Sequence, residues 1–394
     1  MSFNIALTGL NAVNQHLSTV SHNIANSATS GFKSYRAEFA SLYSAGQPMG
    51  VEVQAVTQSM SLRGSINASG RDLDLAIAGG GFFITRSESG ETRYTRAGMF
   101  SNDEQGYLVA SGGRVQGYSA DDAGVLQMGA LGDLQQKTGN LPAQASSRVD
   151  FVANLDANAT PPKVTPFDPA NPDTYTCTQT TQVFDSQGKK HALTQYFIKT
   201  GSNQWDVRYF VDGASAGAAQ PLSFTTSGTL ASPVAPVAVT QPLPGVEPLN
   251  LALSYAGSTQ FGSPFAVGAN RANGYATGER TGTAVEKDGR IYATFSNGQR
   301  LLQGQVVMAN FTNPGGLADQ NGTSWSETSA SGAALLGTPG SGQFGALTTR
   351  ALEGSNVDLT RELVGLMEGQ RNYQANTKVV STNKELIQAL FAAV

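Results

Sequence analysis

The sequence predicts a mainly β, nested multidomain protein whose two ends form an α-helical pair. Three observations carry this. Near the N-terminus, Phe3, Ala6, Leu10, Val13, Leu17, Val20 and Ile24 recur at three- and four-residue spacing. Near the C-terminus, Leu359, Leu366, Tyr373, Val380, Ile387 and Val394 recur every seven residues. Such spacing places each set on one helix stripe, as in the seam of a coiled coil. The long stretch between them shows little helical periodicity and is punctuated by many of the chain's 45 glycines.

Composition bounds the classes. The 394 residues suffice for several domains. Charged residues make up 14 %, against about 25 % in ordinary soluble domains. A net charge of −4 gives no electrostatic basis for binding nucleic acid. The lone cysteine, Cys177, cannot form an intrachain disulfide and reads as a small strand residue. No segment approaches the ~20 apolar residues that span a bilayer. The first residues lack a basic stretch followed by an apolar run, so a cleaved signal peptide is not expected.

Along the chain, residues 2–25 read as a helix with no Lys, Arg, Asp or Glu before Ser30. Its back face carries Asn4, Asn11, Asn14, Gln15 and Ser18, which suits a helix surrounded by other helices. It should end near Asn26, with Gly31 as a break. Residues 26–71 read as a connecting region, with Val51, Val53 and Ala55 alternating as a strand. From Asp72 the pattern turns to short strands: Leu73 to Ile77, Phe82 to Ile84, Tyr94 to Phe100, Tyr107 to Val109 and Arg114 to Tyr118. Residues 140–175 and 213–248, rich in Pro and Ala, read as loops. Between them Tyr175–Phe184, His191–Thr200 and Trp205–Asp212 form a meander. After Ala284 the earlier style returns, with strands at Arg290–Phe295 and Gln303–Phe311. A final helix starts near Asp358, which can cap it, and runs to about residue 392. The expected division is 1–25 with 358–394, then 26–71, then 72–145 with 284–357, and an inserted β-domain at 146–283.

Nothing assembles into catalytic or cofactor chemistry, and the chain is not expected to be an enzyme or to bind a cofactor or metal. Gly79-Gly80-Gly81 lacks nucleotide-loop spacing and is followed by another strand, so it reads as a turn. His16 and His22 lie six apart and do not share a helix face as paired metal ligands do. Asp72/Asp74 and Asp121/Asp122 read as solvated turns. A β-rich surface adhesin is a rival suggested by the insert alone, and the terminal helices argue against it.

Several motifs carry a family resemblance. The stretch Ser21-His-Asn-Ile-Ala-Asn-Ser-Ala-Thr-Ser-Gly-Phe-Lys33, with Leu10-Asn-Ala before it, resembles the N-terminal signature of bacterial flagellar rod and hook proteins. Ser355-Asn-Val-Asp-Leu359 and Gln370-Arg-Asn-Tyr-Gln-Ala-Asn376 resemble the C-terminal one. Asp74-Leu-Ala-Ile, Gly81-Phe-Phe83, Tyr94-Thr-Arg-Ala-Gly98, Gln116-Gly-Tyr118 and Asn313-Pro-Gly-Gly-Leu317 fit the same family. The resemblance covers about 1–145 and 284–394, while 146–283 matches in style alone. The outer insert and the short stretch after Gly31-Phe-Lys33 resemble the hook branch rather than the distal rod branch.

The resemblance implies a structural subunit that polymerises into a curved tube outside the cell. That tube would transmit torque from rod to filament and pass exported subunits through its bore. It marks Asn23, Asn26, Gly31, Phe32, Lys33, Asn356, Asp358, Gln370, Tyr373 and Asn376 as motif positions. The implied partners are further copies of the chain, a distal rod protein, a hook cap, a hook–filament junction protein, a hook-length control protein and a flagellar type III export apparatus. Phe3 and Leu7 resemble a short export signal and are also helix-core candidates. Ordering two long terminal helices costs about 1–2 kcal/mol per residue in backbone entropy. One seam between two lone helices does not offset that, so the helices are expected to order on polymerisation. The polar positions Gln370, Thr377 and Lys384 suit the inside of a tube or a solvated face.

Overall fold

The computed structural model describes residues 2–44, 47–110 and 112–392. The chain forms two compact units. One runs to Thr138 and resumes with Gly282–Thr294 and from Arg300 onward; the other comprises Gly139–Thr281 and Phe295–Gln299. Val394, the last member of the period-seven set, lies outside the described residues.

In the first unit, helix α1 spans Ser2–Ala25 and helix α2 spans Leu359–Ala392. The chain leaves α1 through a tight turn in which Gly31 has a φ of 74°, a left-handed conformation that a side chain would resist. The connecting region is more regular than expected. Strands β1 (Tyr35–Ser44) and β2 (Gln47–Gln58) form a long antiparallel ribbon, with register shifts at Glu38/Phe39 and Leu42/Tyr43. A two-stranded ribbon is marginal alone, and this one leans on α1.

The β part of this unit is centred on Phe82–Arg86, which pairs with Thr92–Thr95, Gly113–Ser119 and Met308–Asn310. Both its faces are covered. Phe83 packs with Phe100, Leu108, Val306 and Met308, while Phe82 and Ile84 pack with Tyr94, Phe311 and Trp325. That explains why Phe82-Phe83-Ile84 is a continuous apolar run rather than an alternating one. Strands distant in sequence join here, as Gly304 pairs with Ser119. The Gly79-Gly80-Gly81 segment is a turn, and a Cβ on Gly79 would lie 2.3 Å from the Gly345 Cα.

The second unit has two facing sheets. One is built around Arg148–Asp156, flanked by Leu249–Ser254, Thr259–Phe261 and Ala266–Ala272. The other runs through Cys177–Phe184, Lys190–Gly201, Gln204–Val211 and Gln220–Phe224. Inward residues alternate with outward ones along Lys190–Gly201 and Gln204–Val211. They meet in a core that includes Phe151, Phe197, Trp205, Tyr209 and Tyr255.

Two loop expectations are corrected here. Residues 140–175 contain the strand at the heart of its sheet, and 213–248 contain Gln220–Phe224, Leu230–Ser232 and Val237–Gln241. The alternation Val149, Phe151, Ala153, Leu155 is present in the sequence, but the Pro- and Ala-rich stretches on either side outweighed it. Asp74 is also not solvated: it is 1 % exposed, beside Arg71, whereas Asp72 pairs with Arg350 at the surface.

A charged cluster braces the second unit. The buried His191 ring has Nδ1 2.6 Å from Asp212 Oδ2 and Nε2 3.2 Å from Asp185 Oδ2. Asp185 also accepts from the Gln187 and Lys189 amides, and Asp212 from that of Ala192. Burial alone would depress the imidazole, but the two carboxylates outweigh it and hold His191 above its ordinary 6.5. A raised folded-state value stabilises fully below pH 6.5, and that stability is lost as pH rises through the raised value. Thermal melts of the full chain should therefore show the second unit weakening from slightly acidic to mildly alkaline pH. His191→Gln should flatten that dependence.

Candidate assembly surface and the joint beneath it

Seven of the motif residues, Asn23, Asn26, Gly31, Phe32, Lys33, Asn356 and Asp358, gather where both ends of the chain meet the β part of the first unit, whereas Gln370, Tyr373 and Asn376 lie along α2. Asn23, near the end of α1, is buried. Its Nδ2 donates to the Tyr35 carbonyl at 2.8 Å and to Glu362 Oε1 on α2 at 3.0 Å, and its Oδ1 accepts from the Tyr35 amide at 2.8 Å. Asn356, just before α2, mirrors it. Its Oδ1 accepts from the Ser34 amide at 2.7 Å, and its Nδ2 donates to the Ser59 and Leu62 carbonyls at 3.0 and 3.2 Å. Asn23 thus satisfies both backbone groups of Tyr35, the first residue of β1, and Asn356 those of Ser34, Ser59 and Leu62, which lie outside any strand.

Lys33 and Glu353 form the centre. Lys33 Nζ lies 2.8 Å from Glu353 Oε1 and donates to the Leu62 carbonyl at 2.8 Å. Arg96 Nη1 donates to Glu353 Oε2 at 3.1 Å, and the Gly64 amide to Oε1 at 3.2 Å. All three side chains are buried, at 1 %, 1 % and 4 % exposure for Lys33, Glu353 and Arg96. Burial pulls the Lys33 ammonium below its usual range despite the Glu353 carboxylate. The Gly31 amide donates to the Glu353 carbonyl at 2.8 Å. A Cβ on Gly31 would lie 2.5 Å from the Ala97 nitrogen, and one on Gly64 1.8 Å from the Gly354 oxygen. Phe32, 1 % exposed, packs between His22 and Tyr35. Asn26 closes the turn after α1 by donating to the His22 carbonyl and accepting from Thr29, and Asp358 caps α2 through the Thr360 and Arg361 amides.

Glu353, Arg96, Glu362 and Tyr35 were not among the sequence candidates. Arg96 lay inside the quoted Tyr94–Gly98 run, and Glu353 was an isolated charge in a sequence poor in charge.

The helices meet through different residues than the period-seven set. A Cβ on Gly369 would come 2.6 Å from Leu17 Cδ2, and one on Gly9 2.9 Å from Asn376 Oδ1. Gly365 faces Val20 and His16. Small residues at Gly9, Gly365 and Gly369 let the two backbones approach closely, so the contact stripe is turned away from the heptad positions. Leu359, Tyr373 and Ile387 are 47 %, 40 % and 51 % exposed, and Leu366 and Val380 are half-buried. On α1, Val20 and Ala6 are buried and Leu10, Val13, Leu17 and Ile24 half-buried, while Phe3 and Leu7 are 45 % and 46 % exposed. Gln370, Thr377 and Lys384 are exposed too.

Among the described residues no group of three or more His, Cys, Asp or Glu side chains is arranged to hold a metal ion, and no helix is long and apolar enough to cross a membrane. Cys177 opens a strand half-buried, and burial pushes its thiol up to about 12.

Removing the Glu353 carboxylate leaves two buried cations uncompensated. Glu353→Ala should cost about 3–5 kcal/mol in urea unfolding of the first unit. Asn356→Ala, which strips one amide and two carbonyls of their partner, should cost about 1–3 kcal/mol. A loss below ~1 kcal/mol for Glu353→Ala would show that the triad does not hold the joint.

Four family models match in order along the chain: Flagella basal body rod protein at 3–33, Flagellar hook protein FlgE/F/G D1 domain at 76–149, Flagellar basal body protein FlaE D2 domain at 154–275, and Flagellar basal body rod FlgEFG protein C-terminal at 348–392. The flagellar hook protein FlgE of Escherichia coli (strain K12) is 38 % identical over 404 residues, covering 99 % of each chain. That of Rhizobium meliloti (strain 1021) is 34 % identical over 408 residues, covering 98 % of this chain and 96 % of the relative. The crystal structure of Helicobacter pylori flagellar hook protein FlgE2 aligns with a TM-score of 0.58 at 16 % identity, covering 73 % of this chain and all of that one, which is a likeness of fold. Identity at this level over nearly the whole of both chains places this chain in the flagellar hook protein family.

Proposed function

We propose that the chain is the structural subunit of the flagellar hook, polymerising into a curved tube that carries torque from rod to filament. The observation that carries this is the uncovered apolar surface of α2. Leu359, Leu363, Val364, Met367, Tyr373, Val379, Leu386, Ile387 and Phe391 are each at least 40 % exposed within one chain. A helix so apolar and so little covered is stabilised by further neighbours. Head-to-tail contacts of this kind are heterologous and do not close, so they give filaments. The full-length relatives named hook protein support this reading over a distal rod protein, and the buried joint gives a compressible assembly a stiff anchor.

The finer arrangement belongs to the same proposal. The terminal helices form an inner core, 26–71 a connecting region, 72–145 with 284–357 an inner β-domain, and 146–283 an outer β-domain whose contacts set the supercoil. Leu366, Val380 and Ile387 pack against neighbouring subunits, and Gln370, Thr377 and Lys384 face the bore. The subunit leaves the cell through the flagellar type III export apparatus, with exposed Phe3 and Leu7 presented to it. It meets the distal rod protein at one end of the tube and the hook cap, then the junction protein, at the other, and its length control acts through a separate secreted protein.

Electron microscopy after induced polymerisation tests the reading: curved tubes are expected, and straight tubes or none would contradict it. Ile387→Asp should abolish polymerisation while leaving the monomer's melt unchanged, since that side chain is 51 % exposed in one chain. Deleting 146–283 should yield tubes that have lost their regular curve, and deletants that keep it would refute the role given to the outer domain.

A further inference from the structure

The first unit contains a groove of about 680 Å³ floored by α1 and walled by the β1–β2 ribbon and α2. Its apolar lining includes Val13, Phe39, Leu42, Tyr43, Val51 and Ala375. Among the described residues no Asp, Glu, Lys or Arg lines it, and His16 and Tyr43 are its titratable groups. Phe39 and Tyr43 are 43 % and 70 % exposed, so the walls are uncovered in a single chain.

The same unit carries a segment with matching properties. Gly9 lies opposite Asn376, and Asn23 opposite Glu362, so α1 and α2 run antiparallel. At ~1.5 Å per residue on both helices, the start of α1 reaches roughly position 383 of α2. Beyond it α2 projects uncovered, and from Leu386 to Ala392 it carries no charge. Leu386, Ile387 and Phe391 are 64 %, 51 % and 76 % exposed. An uncharged groove and an uncharged apolar helix end match in chemistry, and either left in water is unfavourable. The tail cannot fill its own groove, because α2 is one continuous helix through Ala392 and leads away from it.

We infer that the groove between α1, the β1–β2 ribbon and α2 receives the last two turns of α2 from a second copy of this chain. Phe391 enters beside Phe39 and Tyr43. The contact joins two different surfaces, so each subunit keeps a groove for one neighbour and a tail for another. This rests on the hook reading above and adds to it which surfaces meet.

The test uses the full chain in a Cys177→Ala background. Phe39→Cys and Phe391→Cys chains are purified separately, polymerised together and treated with a short bismaleimide. A linked dimer is expected from the mixed polymer, with mass spectrometry placing the bridge between 39 and 391, and neither variant alone should give that bridge. As a second measurement, Phe391→Ser should raise the critical concentration for polymerisation at least about tenfold, with the monomer's melting unchanged. If the unmodified chain forms no tubes, the hook reading fails. If it forms tubes, while the mixture gives no 39–391 bridge and Phe391→Ser polymerises at an unchanged concentration, the groove assignment alone is overturned.

Discussion

The Glu353 carboxylate is the constraint around which the first unit is arranged. It takes Lys33 from the turn after α1, Arg96 from the β part and the Gly64 amide from the segment leading out of the ribbon. Its own carbonyl receives the Gly31 amide. A carboxylate buried this deeply is tolerable because every oxygen is occupied by a charge-assisted donor. The consequence is directional rather than simply stabilising. Segments far apart in sequence are held in one geometry, and Asn23 and Asn356 extend the same network to the two helices. A shift of one element is therefore resisted by all the others.

That stiffness contrasts with the helices it anchors. Close approach at Gly9, Gly365 and Gly369 gives α1 and α2 a narrow contact, so most of the apolar surface of α2 stays outside it. A wide, bulky seam would have satisfied the pair and left nothing for assembly. Exposed charges, among them Arg361, Glu368, Arg371, Lys378, Lys384 and Glu385, lie along the same helix, but the lateral contacts proposed here rest on its apolar packing. Packing of that kind tolerates small axial displacements better than bidentate charge pairs do, which suits a tube that bends as it turns.

Much of this was legible in the sequence, and the reasons for the gaps are physical. Both helices, the Asp358 cap and the break at Gly31 follow from spacing and turn chemistry, which are local. The motif residues Asn23, Lys33 and Asn356 were visible through family resemblance, but their shared partner Glu353 was not, because a long-range ion pair leaves no mark in local periodicity. The period-seven set on α2 pointed to a seam, yet the face that meets α1 is marked by glycines, which an apolar count overlooks. Strand Arg148–Asp156 alternates correctly, but the Pro- and Ala-rich stretches around it concealed it. Asp74 looked like a turn residue beside Asp72, and its burial depends on Met99 and Ala351 being brought across from elsewhere.

The central claim is that the joint is complete within one chain whereas the terminal helices are completed by neighbours. Amide hydrogen exchange, compared between monomer and polymer, tests it most directly. The amides of Gly31, Ser34 and Gly64 should be protected to a similar degree in both states. Those of α1 and α2 should exchange quickly in the monomer and slow by orders of magnitude in the polymer. Helix amides already as protected in the monomer as in the polymer would contradict the account.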